Sequence, residues 1–452
     1  MLPSFAEAAA KPVPSTSIAM KTIPTRVSFH LALPMAAGLA LVSGELKLKD
    51  GDHKNLSRLV AAYYTAKEEE KDINKTMQAV IDQVTVADKR LKDQKVLSFV
   101  SDWEQVFRLV SESRLKDTLK KKGDIEEKKV TSDRGIEVSF AYCAPKKPTK
   151  GILPLILAVC DSGEAPTAHL NAYWNDPALR EAALLMAVKM PPDTKSWGLF
   201  GSPEEPGGVF TVMTALGMIS REFSVDPDRT FVVGSGKGFA AAEATAAAFP
   251  HVFAGLVGIG DVASTDLVNL TNFLTVPCAL IKGGDGAKEI EDKIDELGFG
   301  NCTRLVAERE GQDAEGKPSK VWEPIKVWEW MGKNPRVAYP AHVSFSPRSD
   351  YARRAHWISL EGIQREEEPH VDAKADRATN TITVDTQKVS DVVIYLNDEL
   401  VDLDKPVKLV INGKPQEHTV ERNAQQMILW QYGSGDWGRV FTAALSVPAK
   451  DK

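Results

Sequence analysis

The nine residues ILPLILAVC at 152–160 form an almost unbroken apolar run, and a strand of that kind fits only where both of its faces are covered. Shorter apolar runs follow at 229–234 (RTFVVG), 254–260 (AGLVGIG), 277–283 (PCALIKG) and 303–309 (TRLVAER). Between them lie segments with helical periodicity at 209–223, 239–249 and 287–299. Strand and helix in alternation predict a parallel, doubly wound α/β sheet. The segment 321–333 reads as its closing helix, with Val321, Ile325, Val327, Trp328 and Met331 on the apolar face.

The flanks of this region have a different texture. From 52 to about 120, apolar residues recur at helical spacing in a strongly charged background: Leu56, Leu59, Val60, Tyr63 and Tyr64, then Ile73, Met77, Val80, Ile81 and Val84, then Leu97, Val100, Trp103, Phe107 and Val110. The charge blocks at 68–72 and 119–129 read as solvated helix faces and a linker. After about 340 the pattern turns to period-two alternation, with Asn412-Gly413 as a hairpin signal, which predicts a small β-sandwich-like unit. Asp398, Glu399, Asp402 and Asp404 lack the order of a calcium loop and read as turn and surface acids. The expected organisation is a leader at 1–44, a helical arm at 45–130, a doubly wound sheet at 131–340 and a β-rich unit at 341–452.

Within the leader, Lys21 and Arg26 precede an apolar run from Val27 to Val42 that ends in small residues. With Met20 as the start, that is the grammar of a secretory signal peptide at 20–44, so export to a periplasm, cell surface or medium is expected. No other segment approaches the length needed to span a bilayer. A net charge of −6 and an isoelectric point near 5.9 disfavour a nucleic-acid backbone as partner. The four cysteines, Cys143, Cys160, Cys278 and Cys302, have no CxxC spacing and no neighbouring histidine pair, so no metal site is expected. A Cys278–Cys302 bridge is left open.

The chemistry of the chain turns on FVVGSGKGFAAAEA, which starts at Phe231. Three mechanisms place glycine between a strand and a helix. A Walker loop requires a glycine where Phe231 stands and a hydroxyl residue after the lysine, whereas Gly238 follows Lys237. A dinucleotide fingerprint would use Gly234 and Gly236, with Phe239 in place of the third glycine and Asp261 as the ribose-binding acid. A nucleophile elbow requires small residues on either side of the nucleophile, and Gly234 and Gly238 supply them around Gly236. Taking Ser235 as the nucleophile would put Val233 and Lys237 at the positions that must be small.

The stretch SVDPDRTFVVGSGKGFAAAEATAAAFPHVFAGLVGIGD at 224–261 resembles the elbow region of the α/β-hydrolase superfamily, in particular polyhydroxybutyrate-depolymerase-like and dienelactone-hydrolase-like bacterial esterases. In outline the resemblance extends over 135–365. It implies a hydrolase sheet, with Gly236 where the family has its serine, Asp285 at the acid, and Cys160, Asp161, Ser162 and Gly163 in the oxyanion region. The family's histidine falls near Gln312 and Asp313, and no histidine lies between His251 and His342. Gly236 has no side chain with which to attack a carbonyl.

The resemblance therefore implies a hydrolase fold without its serine and histidine, serving in binding or assembly, with no cofactor. Its ligand is an unidentified protein or small molecule, self-association is compatible with it, and no membrane span remains once a leader is removed. A second reading keeps hydrolysis, with Ser235 or Ser162 as nucleophile and Lys237 or His169 as base. A third is dinucleotide binding. His169 and His251 read as structural or solvent-facing, and His342, His356, Trp322, Trp328 and Trp330 as packing residues.

Overall fold

In the computed structural model, residues 46–449 are described, apart from 93, 117, 120–122, 132–134, 136, 147–151, 203–204, 313–316 and 364–367. The expected leader at 1–44, and Asp313 near the expected histidine position, lie outside the described residues.

The apolar run at 152–160 does what its composition demands. Strand β3 (Leu153–Val159) is buried at every residue. It lies inside an eight-stranded sheet with β1 (Glu126–Thr131), β2 (Glu137–Cys143), β4 (Leu184–Val188), β5 (Val225–Ser235), β6 (Gly255–Ile259), β7 (Cys278–Ile281) and β8 (Cys302–Arg304). The strand order is β1-β2-β4-β3-β5-β6-β7-β8, and β2 runs antiparallel to both β1 and β4 while β3 to β8 are parallel. This is the α/β-hydrolase sheet that the resemblance implies.

Alternation along β3 divides the core. Leu155, Leu157 and Val159 face one layer, packed with residues of α6 (Gly208–Ser220), α7 (Phe239–Ala248) and α8 (Asp285–Glu296). Ile156, Ala158 and Cys160 face the other, with α4 (Pro166–Tyr173), α5 (Pro177–Ala182) and α9 (Pro324–Lys333). Because β3 leads to β4 on one side and β5 leads to β6 on the other, the strand order reverses between β3 and β5. Open α/β sheets bind ligands at the carboxyl ends of the strands flanking such a point.

Before the sheet come α1 (Asp50–Glu68), α2 (Ile73–Arg90) and α3 (Val100–Ser113). Their apolar faces close on one another and on α10 (Ala424–Ser434), where Met427 and Ile428, with Trp437 and Val440 just beyond, join Leu56, Val80, Trp103 and Phe107 in one cluster. After the sheet, strands β11 (His342–Phe345), β14 (His370–Asp376), β15 (Thr381–Gln387), β17 (Val407–Ile411) and β18 (Lys414–His418) form one layer. Strands β12 (Arg354–Ala355), β13 (Ile358–Ile363), β16 (Val389–Leu396) and β19 (Ala443–Pro448) form a second, and both layers contribute to a single apolar core. Asn412 and Gly413 both have positive φ at the β17–β18 turn, as an Asn-Gly hairpin requires.

Several sequence expectations need correction. The charged stretch 126–129 belongs to strand β1, not to a linker; it is an edge strand whose long polar side chains keep contact with water. Val321 and Trp322 lie on a strand: β9 (Glu308–Gln312) pairs with β10 (Pro318–Trp322), and the closing helix starts only at Pro324, a residue suited to a first helical turn. The run 303–309 is divided between β8 and β9. Helix α10 escaped the alternation pattern altogether. All four cysteines are free thiols, including Cys278 and Cys302, which occupy paired positions on β7 and β8. Asp398 and Asp404 bind Arg422, and Asp402 binds Lys405. No helix among the described residues is long and apolar enough to cross a membrane.

Candidate functional site

Strand β5 ends at Ser235, the three residues Gly236–Gly238 make a 3-10 turn, and α7 begins at Phe239. Each glycine in this elbow has a steric reason. A Cβ on Gly234 would stand 2.4 Å from the Phe239 Cα, and one on Gly238 would stand 2.5 Å from the Cys160 carbonyl oxygen and 2.6 Å from that of Val159. Gly236 has φ +50°, the left-handed region in which an L side chain is strained. The strand–turn–helix geometry of a nucleophile elbow is thus present. Gly238→Ala must push backbone off backbone and is expected to lower stability by about 1–3 kcal/mol, read as a drop in the urea midpoint. An unchanged midpoint would show that the turn relaxes freely.

The space above the elbow is occupied by the chain itself. The Asp161 carboxylate leans over from the end of β3. Its Oδ1 accepts the Lys237 backbone N–H at 2.9 Å and the Ser162 N–H at 2.7 Å. Its Oδ2 lies 2.3 Å from the point where a Cβ on Gly236 would stand. The N–H of the residue after the nucleophile is one of the two donors of a hydrolase oxyanion hole. Here a fixed carboxylate takes it, at the amino end of the helical turn where a negative charge is favoured.

Beside Asp161 lies a second polar group. Glu164 Oε2 accepts the Asp161 N–H at 3.0 Å, contacts His169 Nδ1 at 2.9 Å, and is 3.5 Å from the Ser235 hydroxyl. The Trp174 indole N–H, which can only donate, points at His169 Nε2 at 3.4 Å. That contact makes Nε2 the acceptor and leaves the proton on Nδ1, directed at Glu164. Burial opposes ionisation of Glu164, but the hydrogen bonds it accepts from His169, the Asp161 N–H and the Ser235 hydroxyl carry its pKa below the ordinary carboxylate value. Burial and the charges of Glu164 and Asp161 push the Cys160 thiol far up, so it stays protonated. Cys160, Glu164 and His169 are the one trio of ligand-type side chains close enough together to hold a metal ion among the described residues. Both ring nitrogens of His169 are committed to protein partners, so the trio is arranged as a hydrogen-bonded cluster.

The other sequence-selected residues are scattered. Asp285 is exposed at the first turn of α8, and Asp261 is exposed after β6. Gln312 is exposed and pairs with Pro318 at the outer end of the β9–β10 hairpin, about 13 Å along the strand from Glu308 at the hairpin base. Neither Asp285 nor Gln312 makes a side-chain hydrogen bond among the described residues, and no bond there links either to the elbow. Ser235 is 3% exposed, and Ser162 and Lys237 are exposed. Gly163 has φ +78° in the turn after β3. His251 and His356 are buried, and His342 pairs with Asp372. Trp322 donates its indole N–H to the Tyr173 carbonyl, and the Tyr173 ring packs on His169. Glu164 lies one residue beyond the expected oxyanion region, and an acid at 164 with a histidine at 169 across the start of α4 is the signal that marks it in the sequence.

No family model matches the chain, and no curated protein matches it. Among solved structures it is similar to a thermostable esterase at 19% identity, covering 47% of this chain and 64% of that one with a TM-score of 0.36. It is also similar to a ferulic acid esterase at 10% identity, covering 42% and 91% with a TM-score of 0.35. A third is an S-formylglutathione hydrolase from Agrobacterium tumefaciens, at 13% identity, covering 42% and 89% with a TM-score of 0.33. The hydrolase fold of this chain is read from its own strand order.

Proposed function

We propose that this protein is a hydrolase-fold binding or assembly protein without hydrolytic activity, exported from the cell, whose ligand is a protein or a small molecule. The observation that carries the reading is the seat of Asp161. A tetrahedral intermediate needs a nucleophile at residue 236 and free donors for its oxyanion. Gly236 supplies no nucleophile, and Asp161 holds the Lys237 and Ser162 N–H groups. A carboxylate at that place repels an oxyanion and a pyrophosphate alike, which also disfavours the dinucleotide reading.

Displaced chemistry at Ser235 lacks a base. Among the described residues its hydroxyl has one hydrogen-bond partner, Glu164 at 3.5 Å, which is held by His169 and the Asp161 N–H. A relay would need the histidine between the serine and the acid, whereas here the acid stands between serine and histidine. Ser162 and Lys237 are exposed and make no side-chain hydrogen bond to each other or to His169 among the described residues.

The purified protein is expected to turn over p-nitrophenyl acetate and butyrate no faster than a denatured control and to take no label from a fluorophosphonate probe. Labelling at Ser235 or Ser162, or turnover abolished by alanine at either, would establish the displaced hydrolase instead.

A further inference from the structure

Far from the elbow, the hydrolase sheet meets the C-terminal β layers through a buried charged junction. Arg336, just after α9, binds Asp228 at the start of β5 and Asp436 after α10. Asp436 also binds Arg439. Two histidines complete the junction. His251 sits in the turn between α7 and β6, His356 in the turn between β12 and β13, and their rings are 6.3 Å apart. Each offers its backbone carbonyl to a guanidinium, His251 to Arg336 at 2.8 Å and His356 to Arg439 at 3.1 Å.

The rings are less well provided for. His356 Nε2 is 2.8 Å from the Thr275 hydroxyl of the hydrolase unit, yet Nδ1 of both rings is buried without a well-formed hydrogen bond. His356 also has φ +48° in its turn, a left-handed backbone that a residue other than glycine keeps only where its surroundings hold it. A cleft of about 200 Å³, lined by Arg353, Arg354 and Tyr351 among others, reaches His251 from solvent.

We propose that His251 and His356 form an acid-operated clasp: neutral, they let the β layers seat on the hydrolase unit, and protonated, they release that contact. The charges facing them set the direction. His251 faces Arg439, His356, Arg354 and Arg336; His356 faces Arg439 and Arg336, with Asp436 and the Ala338 carbonyl pulling the other way. Burial first, and these arginines second, hold both imidazoles well below their ordinary pKa. The separated or unfolded state therefore binds more protons, and closure weakens as pH falls below about 6.5, the ordinary histidine value. Each histidine contributes up to about tenfold per pH unit to the opening equilibrium. Glu104, which accepts the Tyr339 hydroxyl in the same junction, and Asp228 act in the opposite sense: burial raises the Glu104 pKa to about 8 and also raises that of Asp228, so both favour closure on the acid side. The signature of the clasp is thus the difference between histidine variants and the wild type.

The test uses the full chain. Hydrogen exchange at 352–358 and 436–442 is followed from pH 7.5 to 4.5 in the wild type, in His251→Phe, in His356→Asn and in the double variant. Asparagine tolerates the left-handed backbone and does not titrate. Loss of protection on acidification is expected in the wild type, with a slope smaller by one proton in each single variant and by two in the double. Equal slopes in all four proteins would overturn the proposal. If the double variant fails to fold, histidine NMR of the wild type decides: two imidazoles should stay neutral in the closed protein down to the pH of opening, and titration of both near pH 6.5 with the junction still protected would refute the clasp.

Discussion

Gly236→Ser is expected to place a serine in the elbow and to give almost no hydrolysis, while costing about 1–3 kcal/mol of stability. The Cβ would be placed 2.3 Å from Asp161 Oδ2 and 2.5 Å from its Cγ, far inside contact distance, so the carboxylate must leave the Lys237 and Ser162 N–H groups. A crowded insertion of this kind costs about 1–3 kcal/mol, and the positive φ adds strain. The new hydroxyl would stay protonated, because His169 directs its Nδ1 proton to Glu164 and its Nε2 to Trp174. General-base assistance, about 10² to 10⁴ in rate, is therefore absent. Adding Asp161→Ala relieves the clash and frees the donors, so the double variant should recover part of the lost urea midpoint and remain near background with p-nitrophenyl butyrate. Gln312→His should add nothing, since Gln312 stands at the outer end of an exposed hairpin. Efficient turnover by Gly236→Ser alone would mean that a base is already in place.

How much of this was legible in sequence follows the range of the forces involved. The sheet was legible because burial on both faces leaves a local mark: β3, β5 and β6 are short apolar runs, and Gly234 and Gly238 mark where strand and helix approach most closely. Strand β1 was not legible because it is an edge, where Glu126 to Lys129 remain compatible with pairing. At the site, the absence of a side chain at residue 236 was visible in one letter. The carboxylate that fills its place was not. Asp161 and Gly236 are 75 positions apart, and only the close packing of Gly238 on the Val159 and Cys160 carbonyls brings them together. Glu164 is a mixed case: Asp161 and His169 are its neighbours in sequence and left a local signal, whereas Ser235 reaches it from β5.

Long-range pairing also sets the largest stability effect expected here. Arg336→Ala should destabilise the protein by about 3–5 kcal/mol, the usual consequence of removing one partner of a buried ion pair. Its side chain is 1% exposed and holds Asp228, Asp436 and the His251 carbonyl at once. The two acids would not suffer equally. Asp436 keeps Arg439, and although burial opposes its ionisation, Arg336 and Arg439 together hold its pKa far below the ordinary value. Asp228 has no second salt bridge among the described residues; burial already raises its pKa while Arg336 restrains the rise. Without Arg336 it would be a lone buried carboxylate and would take up a proton. The loss in Arg336→Ala should therefore grow as pH rises through the new Asp228 pKa, and Asp228→Asn in the same background should recover part of it. Against a total stability of about 5–15 kcal/mol, a deficit of this size is plain in a urea titration. A loss under about 1 kcal/mol, or one that Asp228→Asn deepens at neutral pH, would mean that the junction is wetter than its burial implies and that the β layers are held by the apolar contacts alone.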